Sequence, residues 1–451
     1  MPSAIVIGGG LAGLASASAL GQSGFQVDLF EARGFLGGRA TSYPVPGDNS
    51  EVGVNSEVID NCQHVLLRCC VNLMNFYGRL GVADRIQFHK RFYFIEPGGR
   101  TSILEAGALP APLHFTGSFW KLPFLGLSDK IGIARALGAI RREHGRVHLS
   151  GGRRDLDRIS MLDWLREKRQ TERAIARFWN QVLVSAINED LDRMAASHGF
   201  QVFWLGFLAR ANAYEMGIPA VPLGDLYNPE VLRRIGNVRL RLRAAVDQVI
   251  AEDGAIRGVL AGGERHTADY YISTVPFERV PALLPQLELN LDGFEHSPIT
   301  GIHLWLDRSL TQLPHATLLD RTIQWMFNKS GGRYLQLVVS ASRSLVEMPR
   351  AEVIALAMRE LAEFFPRAKD AKIEKAHVVK EIRATFSARA GLEQSRPVSA
   401  TKFPNFFLAG DWTRSGWPPI MEGAVRSGYL AAEAVSRAAG QEQKFLLPDI
   451  A

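Results

Sequence analysis

Residues 4–31 read AIVIGGGLAGLASASALGQSGFQVDLFE, and this stretch decides the fold that the sequence predicts. A short apolar run leads into three glycines, Gly8, Gly10 and Gly13, which are spaced as GxGxxG. Small helix-forming residues follow, and a second apolar run then ends at the acid Glu31. A strand, a glycine turn, a helix, a strand and an acid in this order predict an α/β fold of the Rossmann type.

Each part of this motif has a role in binding a dinucleotide. Gly8 makes the tight turn, Gly10 lets the backbone approach a pyrophosphate, and Gly13 lets the helix pack closely on the strand. The free N–H groups at the start of the helix face the phosphate charge, and the acid reaches a ribose hydroxyl. The predicted contacts are Gly8, Gly10, Leu11, Ala12, Gly13 and Glu31.

A second glycine pair indicates which dinucleotide is bound. Residues 31–40 read EARGFLGGRA, so a glycine pair and an arginine follow closely behind the acid. They bring another backbone segment to the same pyrophosphate, which a nicotinamide dehydrogenase does not need. The segment resembles the extended FAD signature of the amine oxidase and phytoene desaturase superfamily, and a plain surface loop is the alternative. This resemblance implies FAD as the cofactor, with the further contacts Ala32, Arg33, Gly38 and Arg39.

The last fifty residues contain a second match to that superfamily. Residues 405–428 read NFFLAGDWTRSGWPPIMEGAVRSG, an apolar strand that ends at Gly410 and Asp411, a turn, and a helix from Met421. A helix that begins there directs free N–H groups at whatever precedes it, which suits the negative charge of a reduced flavin. The resemblance implies that this segment completes the FAD site and that Asp411 accepts hydrogen bonds from ribityl or ribose hydroxyls. A strand–helix unit that binds nothing is the alternative.

The sequence between these matches predicts a discontinuous FAD-binding domain of the Rossmann-like, amine oxidase type, formed by residues 1–65, 225–297 and 383–451. Residues 238–276 alternate as strands do, and the resemblance implies backbone contacts from Val246 to the adenine; an ordinary sheet valine is the alternative. Residues 66–224 and 298–382 form the second, mixed-sheet and helical domain, which is predicted to bind substrate or lipid. Its strand-like runs at 299–307 and 334–342 are expected to form a sheet over the flavin.

Polar residues lead abruptly into an apolar segment at residues 60–70, which read DNCQHVLLRCC. Apolar positions at 66, 69, 70, 73, 77 and 80 predict a helix that begins near residue 65 and ends at a glycine. Cys69 and Cys70 are expected to be small buried hydrophobes on that helix. Three cysteines without zinc spacing predict neither a disulfide framework nor a metal site, and they suit a reducing compartment.

A narrower resemblance covers nearly the whole chain. The DNCQHVLL stretch, FWNQVLVSAIN, GIHLWLDRSL, LVVSASRSL and KEIRATFSARAG occur in the order found in the squalene-associated FAD-dependent enzymes, the hydroxysqualene dehydroxylases. The resemblance implies the reductive removal of an allylic hydroxyl in squalene and hopanoid biosynthesis: hydroxysqualene and reduced FAD give squalene, water and oxidised FAD. The substrate is then a hydrophobic isoprenoid.

The same resemblance assigns roles to the polar residues of the 60–64 loop, which in the wider superfamily passes close to the flavin ring. They form the polar end of an otherwise apolar tunnel. His64 suits a proton donor because imidazole titrates near neutral pH; a hydrogen bond to the backbone or to FAD is the alternative. Asp60 and Gln63 are expected to orient the substrate or contact FAD. Cys62 stands where glycine is usual in that family, so it can place a thiol near the flavin.

Two other functions of the same fold stay open, namely a carotenoid-type desaturase and a flavin amine oxidase. A third, from another class, is a non-catalytic flavin-binding partner of prenyl synthases. An amine oxidase reduces its flavin with amines, and a desaturase needs an external electron acceptor. A non-catalytic protein leaves its flavin unreactive.

The charge and the hydropathy pattern limit the kinds of partner that the protein can bind. The formal net charge of +6 is compatible with an anionic cofactor or membrane, and nucleic acid ranks last because no basic recognition motif accompanies it. No apolar run reaches the roughly 18 residues that span a bilayer, and no signal peptide is apparent, so we expect a cytoplasmic protein. Residues 113–146 mix aromatic, leucine and basic residues. They predict either a peripheral contact with the inner face of the cell membrane or a core helix with a solvated basic face.

Overall fold

Strands from both ends of the chain share one parallel sheet in the computed structural model, which describes residues 1–45, 57–147 and 155–450. The strands of these residues are β1 (Ser3–Ile7), β2 (Gln26–Glu31), β3 (Ser42–Val45), β4 (Glu57–Asp60), β5 (Leu66–Leu67), β6 (Ile86–His89), β7 (Arg91–Ile95), β8 (Thr101–Glu105), β9 (Met216–Pro219), β10 (Val238–Leu242), β11 (Val246–Glu252), β12 (Ala255–Ala261), β13 (Glu264–His266), β14 (Tyr270–Ser273), β15 (His296–Leu306), β16 (His315–Leu318), β17 (Trp325–Ser330), β18 (Tyr334–Ser340), β19 (Ile373–Phe386) and β20 (Phe406–Leu408).

The helices of the described residues cover both layers. They are α1 (Leu11–Gln22), α2 (Val71–Arg79), α3 (Thr116–Phe119), α4 (Leu127–Val147), α5 (Met161–Glu167), α6 (Glu172–Ala174), α7 (Asn180–Ile187), α8 (Ala196–Phe203), α9 (Pro229–Arg233), α10 (Val280–Leu283), α11 (Arg350–Phe364) and α12 (Met421–Ala438). Two π-helical segments, Ile175–Trp179 and Trp204–Leu208, continue the helices that precede them.

The five-stranded parallel sheet has the order β10-β2-β1-β14-β20. β1 lies at its centre, where it is buried on both faces, and this accounts for the unbroken apolar run of the sequence. β20, which precedes the last helix, joins the same sheet through β14. The predicted α/β fold with a Rossmann-like strand–turn–helix unit is confirmed.

Glycines permit the close packing of α1 against its neighbours. A Cβ atom on Gly13 would lie 1.9 Å from the carbonyl oxygen of Gly8, and one on Gly428 would lie 2.2 Å from that of Ala12. No side chain fits at either point, so the backbones of β1, α1 and α12 touch directly. The predicted role of Gly13 in close packing is confirmed.

The second sheet has seven strands in the order β19-β15-β18-β17-β16-β7-β8. Its pairs are antiparallel except for β16 with β7, which makes it a mixed sheet. The strand-like runs at 299–307 and 334–342 correspond to β15 and β18, which pair with each other. The boundaries between the two domains stay a prediction.

The helix predicted from residue 65 begins later in the structure. Leu66 and Leu67 form β5, which pairs with β9, and α2 starts only at Val71. The backbone N–H groups of Arg68 and Cys69 donate to the carbonyls of residues 215 and 213, so this segment is held by strand-like pairing. The start of the helix was therefore predicted wrongly, because an apolar run of this length does not distinguish a strand from a helix. The burial of both cysteines in this segment is confirmed.

A carboxylate from the other end of the chain caps α2. Cys70 is the N-cap residue of α2 and provides no side-chain hydrogen bond. Instead the two carboxylate oxygens of Glu422, in the first turn of α12, accept the N–H groups of Asn72 at 3.1 Å and Leu73 at 2.7 Å. Burial raises the pKa of Glu422 to about 7. The capping links α2 to the C-terminal helix.

Substitution of Gly428 by alanine tests the packing of α1 on α12. The added methyl group collides with a backbone carbonyl that cannot move independently, so we expect the free energy of unfolding to fall by about 3 kcal/mol. Chemical denaturation followed by circular dichroism measures the change. The matched control is Gly78→Ala in α2, where the new Cβ meets no atom within 4 Å and a gain of about 0.5 kcal/mol is expected. Equal effects of the two substitutions would contradict the packing argument.

Candidate flavin site

The turn between β1 and α1 leaves open space where a pyrophosphate would lie. Gly8 has a φ of +110°, and a Cβ on Gly10 would meet only the Cα of Gly38, at 4.0 Å. Gly10 is the N-cap residue of α1, which has neither a side-chain cap nor an acid in its first turn. The N–H groups at the start of α1 therefore have no partner within the helix or from a capping side chain, and an anion can accept them.

A second glycine loop closes over this turn. The N–H of Gly37 donates to the carbonyl of Gly9 at 2.9 Å, and Gly37 and Gly38 have φ values of +97° and +62°. A Cβ on Gly38 would lie 3.1 Å from the Cα of Gly10. The structure thus brings the second glycine pair against the first turn, as the sequence predicts, and a surface loop is excluded.

Glu31 ends β2 beside the glycine turn. Its carboxylate accepts the N–H of Gly9 at 2.7 Å and the N–H of Arg33 at 2.8 Å. The backbone N–H of Ala244 donates to the carbonyl of Glu31, which brings Val246, the first residue of β11, to the same edge of the sheet. The positions fit a ribose at the Glu31 carboxylate and an adenine at the Val246 backbone, and both contacts with the cofactor stay predictions.

An ion pair joins the N-terminal loop to the C-terminal match. The guanidinium of Arg39 lies 2.5 Å from the carboxylate of Asp411, which is 5% exposed. Arg39 also donates to the carbonyl of Ala384 at 3.2 Å, and Asp411 accepts the N–H of Phe386 at 3.3 Å. In the described residues Asp411 is therefore bound to protein groups, and its contact with a ribityl or ribose hydroxyl is still a prediction.

Arg396 holds the turn that follows Asp411. Its side chain is buried, and its guanidinium donates to the backbone carbonyls of four residues of that turn, which are Asp411, Trp412, Thr413 and Trp417. Its charge is balanced by Glu393 at 2.5 Å. The role of Arg396 as the centre of this turn requires the structure, because the carbonyls that it holds lie 15 to 21 residues further along the chain.

The N-terminus of α12 is the second uncapped helix start at this site. Ile420 is its N-cap residue and provides no side-chain hydrogen bond, and Met421 is half-buried in the first turn. The acid of that turn, Glu422, is directed to α2 instead. Two helix N-termini without caps and a cradle of glycines fit a flavin dinucleotide, whose phosphates and reduced ring are negatively charged.

The 60–64 loop packs between this cradle and the second sheet. The side-chain amide of Asn61 donates to the carbonyl of Arg39 at 2.5 Å, and Asp60 accepts hydrogen bonds from the Ser42 hydroxyl and the Leu223 N–H. A Cβ on Gly301 of β15 would lie 3.1 Å from the carbonyl oxygen of Asn61. The loop therefore touches both layers of the molecule.

Lys329 adds a cation to this loop that the sequence does not point out. Its Nζ atom, on β17, donates to Oε1 of Gln63 at 2.9 Å and lies 3.6 Å from the carboxylate of Asp60. Its side chain is about one quarter exposed, at 24%. A lysine near the end of β17, which reads WMFNKS, is a weak local signal for this contact, and its partners lie some 270 residues earlier in the chain.

Burial favours the neutral forms of His64 and Cys62, the other two candidate catalytic residues of the loop with titratable side chains. Burial lowers the pKa of His64, whose Nδ1 lies 2.9 Å from the carbonyl oxygen of Cys62. A neutral imidazole in this position donates its single ring proton to that carbonyl and leaves Nε2 as an acceptor. Burial also raises the pKa of the Cys62 thiol to about 12, so a thiolate is not formed near neutral pH.

A cluster of packed apolar side chains begins at Cys62, and we call it the apolar chamber. The Cys62 side chain packs with Phe327 and Val338, and partly buried apolar residues complete the cluster: Val65, Ile218, Ile299 and Trp325. The polar residues of the loop lie at its Cys62 end. Within the described residues no group of three His, Cys, Asp or Glu side chains could hold a metal ion.

The chain resembles curated desaturases along almost its full length. It is 27% identical to a probable zeta-carotene desaturase of Synechococcus elongatus, over 96% of this chain and 98% of that protein. It is also 27% identical to a 15-cis-phytoene desaturase of Solanum lycopersicum, over 96% of this chain and 77% of that protein. A solved structure of a cyclohexylamine oxidase from Brevibacterium oxydans aligns with a TM-score of 0.68 at 16% identity, covering 97% of this chain and 99% of that one. This last likeness shows the fold.

Replacement of Glu31 by alanine tests the ribose contact. Loss of hydrogen bonds to a charged acceptor predicts FAD affinity weaker by roughly ten- to a hundredfold, and Glu31→Gln should be milder. Equilibrium binding of FAD to the apoprotein and the flavin content of purified protein measure the change. Asp28→Asn is the control, because Asp28 lies on the same strand but pairs with Arg241. Full flavin occupancy in Glu31→Ala would count against this role.

A family model agrees with the fold and with the cradle. The model described as flavin containing amine oxidoreductase matches residues 11–436. This range begins directly after the turn at Gly8–Gly10 and includes α1, Glu31, the second glycine pair and the start of α12, which the structure brings together from opposite ends of the chain. The chain therefore belongs to the flavin-containing amine oxidoreductase family, and it is a flavin-dependent oxidoreductase with FAD as its cofactor.

Proposed function

We propose that this flavoenzyme acts on a long linear isoprenoid, and that its reaction is the reductive dehydroxylation of hydroxysqualene to squalene. The observation that carries the proposal is the group of charged and polar side chains at one end of the apolar chamber, beside the flavin cradle. The order of sequence motifs along the chain supports the same reaction.

The chamber supplies the environment that this reaction needs. Removal of an allylic hydroxyl leaves an electron-poor carbon, which water would trap. Phe327, Val338 and their neighbours form hydrocarbon walls, and the buried Cys62 thiol is neutral. These walls favour an apolar chain and exclude water from the reacting carbon.

Lys329 is the proton donor that this geometry favours. Its ammonium group is held by Gln63 and Asp60 at the polar end of the chamber, whereas the single proton of neutral His64 is engaged with a carbonyl. A proton from Lys329 converts the leaving hydroxyl into water as the C–O bond breaks. Bound FAD in its reduced form supplies the hydride that takes the place of the hydroxyl. His64 then serves as a hydrogen-bonding group that fixes the loop.

Desaturation of a carotenoid-type substrate is the second candidate. It is favoured by the relatives, since the two curated proteins compared above are both desaturases by name. Desaturation removes hydrogen from the substrate and releases no hydroxyl. It therefore has no step in which Lys329 would act as a proton donor. Both candidates use the same apolar chamber and the same class of hydrocarbon.

Anaerobic single-turnover experiments separate the two reactions. Reduced enzyme mixed with hydroxysqualene should reoxidise its flavin, seen as recovery of the absorbance of oxidised flavin, with one squalene formed per flavin. Squalene is identified by gas chromatography with mass spectrometry. As the parallel arm, oxidised enzyme is given phytoene or zeta-carotene together with a quinone acceptor.

The outcomes are distinct. Unchanged hydroxysqualene with conversion of the carotene would replace the first candidate by the second. Conversion of neither, with flavin bleaching by amines, would reject the isoprenoid substrate. Each result leaves the assignment of FAD intact.

Substitution of Lys329 by methionine tests the proton donor. We expect the rate of flavin reoxidation by hydroxysqualene to fall by roughly a hundredfold or more, because the hydroxyl then leaves without an acid. FAD content should be unchanged. Lys329→Arg keeps the charge, but its guanidinium does not give up a proton, so it should not recover the rate.

Lys402→Met is the control for Lys329, since Lys402 is a half-exposed surface lysine that pairs with Glu288. It should match the unaltered enzyme in rate and in flavin content. A normal reoxidation rate in Lys329→Met would reject Lys329 as the donor.

A further inference from the structure

One face of the protein exposes an unusual set of apolar side chains. It is formed by residues 107–142, which contain the loop before α3, α3 itself and most of α4; we call it the α3–α4 face. Five large hydrophobic residues are exposed there, with exposed fractions from 37% to 67%: Leu109, Leu113, Trp120, Leu127 and Ile131. Clustering of this kind marks an interaction site, whereas single exposed hydrophobics do not.

The spacing along α4 places these residues on one stripe. Leu127, Ile131, Arg135 and Arg142 recur at helical intervals, while Ile133, Ala136 and Ile140 of the same helix are buried in the core. Trp120 lies across from this stripe, and together with Ile131, Arg135 and Arg142 it lines a groove of 460 Å³. The apolar and basic side chains thus share one surface.

The charge of the α3–α4 face has a single sign. Its exposed charged residues are Lys121, Arg135, Arg141 and Arg142. The single acid among residues 107–142, Asp129, is buried and accepts a hydrogen bond from Thr171 while pairing with Arg173. Apolar side chains surrounded by basic ones, without an exposed acid, match the surface of an anionic bilayer.

The α3–α4 face adjoins a cavity with a mixed apolar and charged lining. This cavity of 560 Å³ is lined by His89, Tyr93, Ala106 and Tyr214, among others, and by four charged residues: Lys90, Arg91, Glu105 and Glu215. The Tyr214 ring packs on Phe115, at the start of α3, with 4.7 Å between ring centroids. The mouth of the cavity and the α3–α4 face are therefore neighbours.

Aromatic rings continue from this cavity to the flavin side. The ring of His315 lies 5.2 Å from that of His89 and 6.2 Å from that of Trp325, and Trp325 stacks on Phe327 at 5.6 Å. Within the part of the chain that the structure describes, neither ring nitrogen of His315 has a hydrogen-bond partner, and burial lowers the pKa of His315 to about 3. His315 is thus a neutral part of an apolar wall that ends at the Cys62 chamber.

We propose that the α3–α4 face docks on an anionic lipid bilayer and that the enzyme takes its isoprenoid substrate from that bilayer. Trp120 and the exposed leucines enter the interfacial region, and the arginines of α4 meet lipid phosphates. The uptake step rests on the proposed isoprenoid substrate. The docking itself depends only on the surface described here.

Co-sedimentation of the full-length holoenzyme with lipid vesicles tests the docking. Binding is expected to vesicles of phosphatidylcholine with roughly a third phosphatidylglycerol, and to be at least tenfold weaker to phosphatidylcholine alone. The double substitution Leu127→Ser with Ile131→Ser should weaken binding about tenfold, as should Arg135→Glu with Arg142→Glu. The matched control is Ile373→Ser with Ile382→Ser, which removes two exposed isoleucines of β19 and should bind as the unaltered protein does.

Three outcomes would overturn the docking proposal. They are no binding to anionic vesicles, binding that the α4 substitutions leave unchanged, and self-association through this face, which would appear as a mass in solution that falls by half in the substituted variants.

Measurements of turnover distinguish a defect in docking from a defect in the reaction. The α4 double serine variant should convert detergent-dispersed hydroxysqualene normally and lose most conversion from vesicles. Vesicle binding without conversion of any isoprenoid would reject the proposed function and leave the docking in place.

Discussion

Direct contact between backbones at the start of α1 is the constraint on which the rest of the structure depends. Gly13 and Gly428 leave no room for a side chain, so β1, α1 and α12 meet at van der Waals distance. Through that contact, helices more than 400 residues apart both begin at the same edge of one parallel sheet. The uncapped N–H groups of both helices then converge, and the flavin cradle is formed by topology more than by any single side chain.

Buried charges around this cradle are paired, which limits the cost of removing them from water. Arg39 pairs with Asp411, Arg396 with Glu393, and Lys329 with Asp60. Arg39 with Asp411 and Lys329 with Asp60 join segments that are distant in the sequence, whereas Arg396 and Glu393 are only three residues apart. The Lys329–Asp60 pair runs between the two layers and sets the ammonium group of Lys329 beside the 60–64 loop.

The second layer places apolar side chains beside the cradle. The seven-stranded sheet contributes Phe327 and Val338 to the chamber, and a row of aromatic rings continues from it to His315 and His89. Burial lowers the pKa of both histidines, which favours their neutral forms. The polar residues of the 60–64 loop thus lie at one end of a row of apolar and neutral aromatic side chains.

The sequence by itself determined the features that neighbouring residues encode. The glycine turn, the acid at Glu31, the second glycine pair and the strand–helix unit at Met421 all follow from local spacing, and they identified the fold and the cofactor. Only the tertiary structure decided the contacts between distant segments, such as Glu422 capping α2, Arg396 holding the turn after Asp411, and Lys329 beside Gln63. It also decided that Leu66 pairs as a strand. Periodicity and turn chemistry report on residues a few positions apart, whereas pairing across the fold depends on which surfaces the packed layers bring into contact.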